Sequence, residues 1–374
     1  MIDLSQEYDV YVATEVGNYS HGGISVWVDK WISEVAPHLN TRPILILEVE
    51  QTQEWVEYAV QFVDVIHRPG SDWKWEYTMS SLPIPNYFSL PDRKTVDMII
   101  KGAKKLHLLS YPLPILYSGN QKGLTSQEMR NTYDRDIDSI CVHSRERSTL
   151  LYQRKLMKFN KESLHYQNMS IEFQELLIKE SKESIWIGVE EEVDFDHNIS
   201  NVYEFEHNLS AVQSNVVGFP ARCEPRKNIK YLSDIESIAL TNSISVEQSI
   251  KHYKSKFTLD KTHIEDYTRE KVHNFFKSSE WGISHSCFKN EPFGYSIFQS
   301  VDYGKIPIIH TDWCEKMKYP FRASTVAQFK KQVAKISELS VDERNTYLGD
   351  LRDYLSKYSS TEQWRDELLH IYNK

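Results

Sequence analysis

A carboxylate and an amide stand eight positions apart in Glu291-Pro292-Phe293-Gly294-Tyr295-Ser296-Ile297-Phe298-Gln299, and Gly304-Lys305-Ile306-Pro307-Ile308-Ile309 follows. The spacing reads as a Phe-Gly turn entering a helix, which Gly304 closes before an apolar strand. A loop running into a helix presents backbone N–H groups that have no intrahelical acceptor, at the positive end of the helix dipole. Such an end can hold a diphosphate. A second group is Ala221-Arg222-Cys223-Glu224-Pro225-Arg226-Lys227-Asn228, where Arg222 and Lys227 are five apart and follow the apolar run Val216-Val217-Gly218. They therefore lie on a loop at a strand end, where ligands bind in α/β sheets. Fixed positive charge there can stabilise a nucleoside diphosphate leaving group. A merely solvated basic loop is the competing reading. A third, weaker signal is His21-Gly22-Gly23-Ile24. Gly22 and Gly23 ahead of a helix let backbone approach a ligand closely, although glycine also simply starts helices.

The elements that position these residues follow from the pattern of apolar runs. Residues 8–13 read as a buried strand, 14–23 as a loop, and 24–36 as an amphipathic helix carrying Val26, Trp27, Trp31 and Ile32 at helical spacing. Strand, glycine-bearing loop and helix form the opening unit of a doubly wound domain. Further strands are expected at 42–49, 60–66, 106–109 and 139–143, with helix from about 148 to 183. An acidic, Asn-rich stretch at 190–210 reads as the region between two domains. Beyond it, 214–218, 237–240, 281–284 and 305–310 read as strands, and 328–374 as two charged amphipathic helices.

Residues 68–93 break the alternation. Arg68, Trp73, Lys74, Trp75, Tyr77, Tyr87, Arg93 and Lys94 mix cations with aromatic rings, so the segment could meet phosphates and stack on bases. Packing of those rings onto their own domain is the alternative.

Composition bounds the function. A chain of 374 residues is long for one core, so two domains are expected. A net charge of −9 argues against a chain that coats nucleic acid non-specifically, without excluding a local basic groove. No apolar run is long enough to span a membrane, and the N-terminus lacks a signal-peptide pattern. The four scattered cysteines, Cys141, Cys223, Cys287 and Cys314, indicate neither a disulfide framework nor a metal site. A soluble, cytoplasmic protein is the expectation. Asp134-Arg135-Asp136 and Asp194-Phe195-Asp196 match a short Asp-x-Asp metal pattern that acidic chains contain by chance. His143 and His285 are the histidines to watch as cleft residues, with a structural role the alternative for each.

The motif around Glu291 and Gln299 resembles the donor-sugar motif of retaining glycosyltransferases of the GT-B class, in which two Glu residues stand eight apart; Gln299 replaces the second. That class also carries Arg and Lys five apart between glycines, where this chain has Ala221 and Asn228. The runs 294–300 and 304–309, Val142-His143-Ser144, and the C-terminal Ile336-Ser337-Glu338-Leu339-Ser340 with Asp342-Glu343-Arg344 narrow the resemblance to the DNA α-glucosyltransferases of T-even phages and the related phage DNA arabinosyltransferases. The likeness is strongest over 214–374.

The resemblance implies an α/β GT-B fold, two Rossmann-like domains facing a central cleft. Residues 1–205 would bind the acceptor, with a C-terminal helix at about 355–374 packing back on them, and 206–354 would bind the donor. It implies that Glu291, Arg222 and Lys227 are catalytic, and that Gly22, Gly23, Phe293, Gly294, Tyr295, Ser296 and Gln299 bind donor. Acceptor contacts are expected from Trp73, Lys74, Trp75, Arg93 and His143. The strand end Leu109-Ser110-Tyr111-Pro112 has no His or Asp, so no catalytic base carries over. The implied partners are a UDP-sugar and double-stranded DNA bearing 5-hydroxymethylcytosine, with no membrane. The implied protein is a monomer, in the host cytoplasm if it is phage-encoded. No cofactor is implied; a divalent metal is compatible but not required. The alternatives are a glycosyltransferase for surface polysaccharide and a non-catalytic nucleotide-sugar binder.

Overall fold

The computed structural model describes residues 4–13, 23–47, 51–67, 85–89, 93–109, 136–142, 181–187, 197–221, 223, 227–241, 246–247, 257–289, 291, 293–314 and 316–374. The chain forms two compact units, Met1–Val202 with Thr361–Lys374, and Tyr203–Ser360.

The first unit is built on eight strands: β1 (Tyr8–Ala13), β2 (Arg42–Leu47), β3 (Asp64–His67), β4 (Tyr87–Ser89), β5 (Leu106–Leu108), β6 (Ile137–Val142), β7 (Ser181–Ile187) and β8 (His197–Ile199). Their order is β4-β3-β2-β1-β5-β6-β7-β8, and every pairing is parallel. All six residues of β1 are buried, as expected where helices cover both faces of a parallel sheet. Helices α1 (Gly23–Glu34), α2 (Gln53–Ala59) and α3 (Arg93–Gly102) join the first strands. Val96, Ile99 and Ile100 of α3 pack against Val10, Val12, Ile44, Ile46, Leu106 and Leu108 of the sheet. The chain's terminal helix, Thr361–Tyr372, belongs to this unit through its buried Trp364, Leu368, Ile371 and Tyr372. Trp364 meets Trp27 edge-on at 5.6 Å, Tyr372 meets Tyr11 at 5.4 Å, and Lys105 Nζ donates to the Tyr372 carbonyl at 2.6 Å.

The second unit contains β9 (Val217–Phe219), β10 (Ser237–Thr241), β11 (Thr262–Asp266), β12 (Ile283–Ser286), β13 (Ile306–His310) and β14 (Arg322–Ala323), in the order β11-β10-β9-β12-β13-β14. Here too every pairing is parallel. Its helices are α4 (Arg269–Lys277), α5 (Tyr295–Asp302), α6 (Val326–Ser337) and α7 (Val341–Leu355). In both sheets the strand order reverses once, between β1 and β5 and between β9 and β12. Such a reversal opens a crevice at the carboxyl ends of the two strands.

Local structure departs from the sequence reading in a few places. The 328–374 stretch holds three helices rather than two. The Ser340 hydroxyl accepts from the Glu343 amide while the Glu343 carboxylate accepts from the Ser340 amide, so a capping box starts α7 afresh. Residues 181–183 begin β7 instead of ending a helix, because Ile185-Trp186-Ile187 are buried between β6 and β8. The strand sought at 60–66 occupies Asp64–His67, since the Thr52 cap carries α2 through Ala59. The polar 190–210 stretch contributes β8, and 68–93 contributes β4. Each of these strands is only three residues long and sits at a sheet edge, too short to announce itself by periodicity. No helix among the described residues is long and apolar enough to cross a membrane.

Candidate functional site

Strands β9 and β12 are parallel neighbours, Ile283 opposite Val217 and Ser284 opposite Gly218. The loops leaving their carboxyl ends, toward Lys227 and toward Glu291, therefore emerge side by side. Lys227 Nζ donates to Glu291 Oε2 at 2.5 Å, with the side chains only 11% and 17% exposed. The same ammonium lies 4.2 Å from the Phe288 ring centroid. A desolvated ion pair is tolerated only where geometry and further contacts compensate both charges, and the aromatic face supplies one such contact.

Asn228, next to Lys227, is bonded to the end of β12. Asn228 has a left-handed backbone, φ 55°, a conformation that Asn tolerates better than most side chains. Its Nδ2 donates to the Cys287 carbonyl at 2.7 Å, and its own carbonyl accepts from His285 Nε2 at 3.0 Å. His285 Nδ1 in turn accepts from the Cys287 amide at 3.3 Å. A ring that donates through one nitrogen and accepts through the other is a neutral imidazole. His285 is fully buried, with Phe219, Tyr231, Phe288 and Phe329 around it. That burial pushes its pKa down to about 4; the nearby Lys227 charge acts the same way, against the hydrogen bond to Asn228.

The helix entry is set by Gly294, at φ 82°. A Cβ there would stand 2.9 Å from Ile297 Cδ1 and 3.3 Å from Glu291 Cγ, so the turn brings Glu291 against the start of α5. Gly294 offers no side-chain cap, and its carbonyl accepts from the Ile297 amide at 2.7 Å. Phe293 stacks on Phe298 at 4.1 Å and meets Tyr295 at 4.9 Å, which anchors the turn to the helix. Ser300 Oγ donates to Ser284 Oγ at 2.8 Å and thereby ties α5 to β12. Ser296 and Gln299 are half-buried, one turn apart on α5. Among the described residues the Gln299 amide meets no hydrogen-bond partner. At the far end of α5, Asp302 accepts from the amides of Glu206 and His207, from the Tyr203 hydroxyl, and bonds His207 Nδ1.

Lys227 and Glu291 thus meet beside the turn formed by Phe293 and Gly294, with Tyr295, Ser296 and Gln299 on the helix it starts. Gly23 is the first residue of α1, and Arg93 is the first of α3, its side chain outside the description. Arg222, Gly22, Trp73, Lys74, Trp75 and His143 lie outside the described residues, as do Asp134, Asp194 and Asp196. Among the described residues no three His, Cys, Asp or Glu side chains gather as a metal site. Sequence reasoning missed Asn228, Phe288 and Asp302 as organising residues. Asn228 had a signal, an Asn where the resembling family has Gly, whereas the other two depend on packing.

No family model matches the chain, and no curated protein does. Solved structures are similar along its whole length. A glycosyltransferase from Rickettsia africae ESF-5 has 14% identity and a TM-score of 0.53, covering 98% of both chains. An alpha-glucosyltransferase in complex with UDP and a 13-mer DNA containing an HMU base has 9% identity and a TM-score of 0.52, covering 99% of both. An E. coli trehalose-6-phosphate structure bound with UDP-2-fluoro glucose has 8% identity and a TM-score of 0.51, covering 98% of this chain and 99% of the other. Together with two all-parallel sheets, these likenesses show the fold, that of the GT-B glycosyltransferases with two Rossmann-like domains.

Proposed function

We propose that the protein is a glycosyltransferase that moves glucose or arabinose from a UDP-sugar onto 5-hydroxymethylcytosine in double-stranded phage DNA, with retention at the anomeric carbon. The observation that carries the reading is the Lys227–Glu291 pair beside the entry of α5, at the strand-order reversal between β9 and β12. A cation, a carboxylate and uncapped helix amides at one place are what a sugar diphosphate needs. Lys227 and Arg222 would hold the diphosphate, with the amides from Phe293 to Ser296 facing it and the sugar. Glu291 would accept from the sugar hydroxyls, and the Gln299 amide would meet the ribose diol. Gly22 and Gly23 are further residues proposed to bind the donor.

In the reaction the bond from the sugar C1 to the diphosphate oxygen breaks, C1 bonds to the hydroxymethyl oxygen, and the hydroxymethyl proton passes to the departing diphosphate oxygen. Charge grows on the departing oxygen as UDP leaves, where Lys227, Arg222 and the helix end stabilise it. The hydroxymethyl group sits on C5 of a stacked base, at the floor of the major groove, and the base is proposed to reach the sugar C1 by flipping out of the duplex. Trp73, Lys74, Trp75, Arg93 and His143 are the residues proposed to meet the DNA. The likeness to a glucosyltransferase structure holding UDP and HMU-containing DNA supports the choice of acceptor. The protein is proposed to act as a monomer in the cytoplasm, the host's if a phage encodes it.

The test is a transfer assay with UDP-glucose or UDP-arabinose and DNA with or without 5-hydroxymethylcytosine, read by mass spectrometry of the digested nucleosides. A hexose or pentose gain only on modified DNA is the expected result. No gain with any donor, despite UDP binding, overturns the DNA acceptor and leaves a polysaccharide enzyme or a nucleotide-sugar binder.

A further inference from the structure

The residues proposed to grip the donor are themselves held by a second set. Lys227 precedes Asn228, and Asn228 is tied twice to the β12 end, through its side chain to the Cys287 carbonyl and through its carbonyl to His285 Nε2. Glu291 lies four residues beyond Cys287 on the same loop, and Phe288, which faces the Lys227 ammonium, is the next residue after Cys287. Both sides of the Lys227–Glu291 contact therefore converge on one buried clamp. Asn228 is 4% exposed and His285 is 0% exposed, so neither can reach a ligand itself. The left-handed Asn228 backbone sets the direction in which the chain leaves Lys227.

We propose that His285 and Asn228 are positioning residues for the nucleotide diphosphate: by locking the loop after β9 to the end of β12, they aim the Lys227 ammonium at the phosphates. This rests on the reading of Lys227 as a diphosphate ligand. The groups facing His285 are Phe219, Tyr231, Phe288 and Phe329, with Lys227 the charged neighbour. The ring therefore stays neutral at physiological pH, and its donor and acceptor nitrogens keep their assigned partners. A neutral histidine with both nitrogens satisfied inside an aromatic cage is a rigid brace. Rigid bracing of a binding group matters because a displacement on the order of 1 Å weakens a contact severely.

The experiment measures the affinity of the full chain for UDP and for uridine. Loss of affinity in Lys227→Met for UDP, with uridine unchanged, establishes the diphosphate contact. His285→Phe keeps an aromatic ring in the cage but removes both hydrogen bonds. It should weaken UDP binding by about tenfold and leave uridine binding as in the wild type. His285→Gln retains a donor near the place of Nε2 and should fall between the two. In a Lys227→Met background His285→Phe should cause no further loss, since the lysine it aims is gone. Asn228→Gly keeps the left-handed backbone, removes the bond to Cys287, and should show the same selective loss should His285→Phe fail to fold. Unchanged UDP affinity in Asn228→Gly and His285→Phe, or an equal loss for uridine, or losses that add to that of Lys227→Met, would overturn the proposal. A wild-type protein that binds no UDP overturns the reading of the site first, and the proposal with it.

Discussion

Lys227 and Glu291 form a pair that is mostly out of solvent, so removing one charge leaves the other poorly compensated. Lys227→Met is expected to destabilise the second unit by about 1–3 kcal/mol in urea unfolding, because Glu291 then keeps a partly desolvated carboxylate without its ammonium. Glu291→Gln in the Lys227→Met background should recover part of that loss by removing the carboxylate that has lost its ammonium. A full loss retained in the double variant would show that Glu291 has other compensation. His285 makes a second prediction, with the sign set by its environment. Burial lowers its pKa from 6.5 to about 4, so between those values the unfolded chain binds a proton that the native chain does not. Native stability therefore falls as pH drops from about 6.5 to about 4, by on the order of 3 kcal/mol in total. His285→Phe should flatten that acid limb in a pH series of unfolding midpoints. An unchanged slope would mean that other groups carry the acid sensitivity.

At the scale of the element, α5 depends on its entry and its exit. Gly294 and Gly304 both have positive φ, 82° and 70°. At Gly294 an added methyl would meet the flexible tip of Ile297 at 2.9 Å. At Gly304 it would stand 1.9 Å from the Ser210 carbonyl oxygen, which is fixed backbone. Gly294→Ala should cost about 1–2 kcal/mol from backbone strain, and Gly304→Ala distinctly more, because the Ser210 segment must also move. Thermal unfolding of the two variants gives the order directly, and a reversed order would mean that the 210–212 segment yields easily. Gly294→Ala also disturbs the turn that brings Glu291 to the helix, so a drop in UDP affinity larger than that of Gly304→Ala is expected. The helix and its glycines are legible in the sequence because capping and positive φ are local demands. That Asp302 binds the 203–207 segment is not, because its three partner residues, Tyr203, Glu206 and His207, lie 95 to 99 residues away.

For the molecule as a whole, the chain visits the first unit twice, since Thr361–Lys374 belong with Met1–Val202. Trp364 is 0% exposed and packs edge-on against Trp27 of α1. Trp364→Ala should destabilise the first unit by about 3–5 kcal/mol, the usual range for emptying a core tryptophan site. UDP affinity should largely persist, because Arg222, Lys227 and the α5 entry lie in Tyr203–Ser360, and of the residues proposed to bind donor only Gly22 and Gly23 belong to the first unit. Unfolding followed by a probe in each unit, together with UDP titration, tests both halves. Loss of UDP binding in a still-folded variant would show that the donor depends on the first unit more than this reading allows.

The amino-acid sequence determined by itself the alternation of apolar runs and helices that makes parallel α/β sheets, the Phe293-Gly294 entry into α5, and the candidates Lys227 and Glu291, since each rests on short-range spacing. The tertiary structure decided which strand ends adjoin. Lys227 and Glu291 are 64 residues apart in the chain and meet because β12 takes the place beside β9 on the side away from β10. It also decided the state of His285, which the sequence leaves open between cleft and core. A histidine's charge depends on what surrounds it, and the aromatic cage that excludes water is assembled from β9, the 3-10 turn Ile229–Leu232, the loop after β12 and α6. Backbone conformation is dictated by neighbours along the chain, whereas desolvation and pairing are dictated by neighbours in space, and only the fold brings those together.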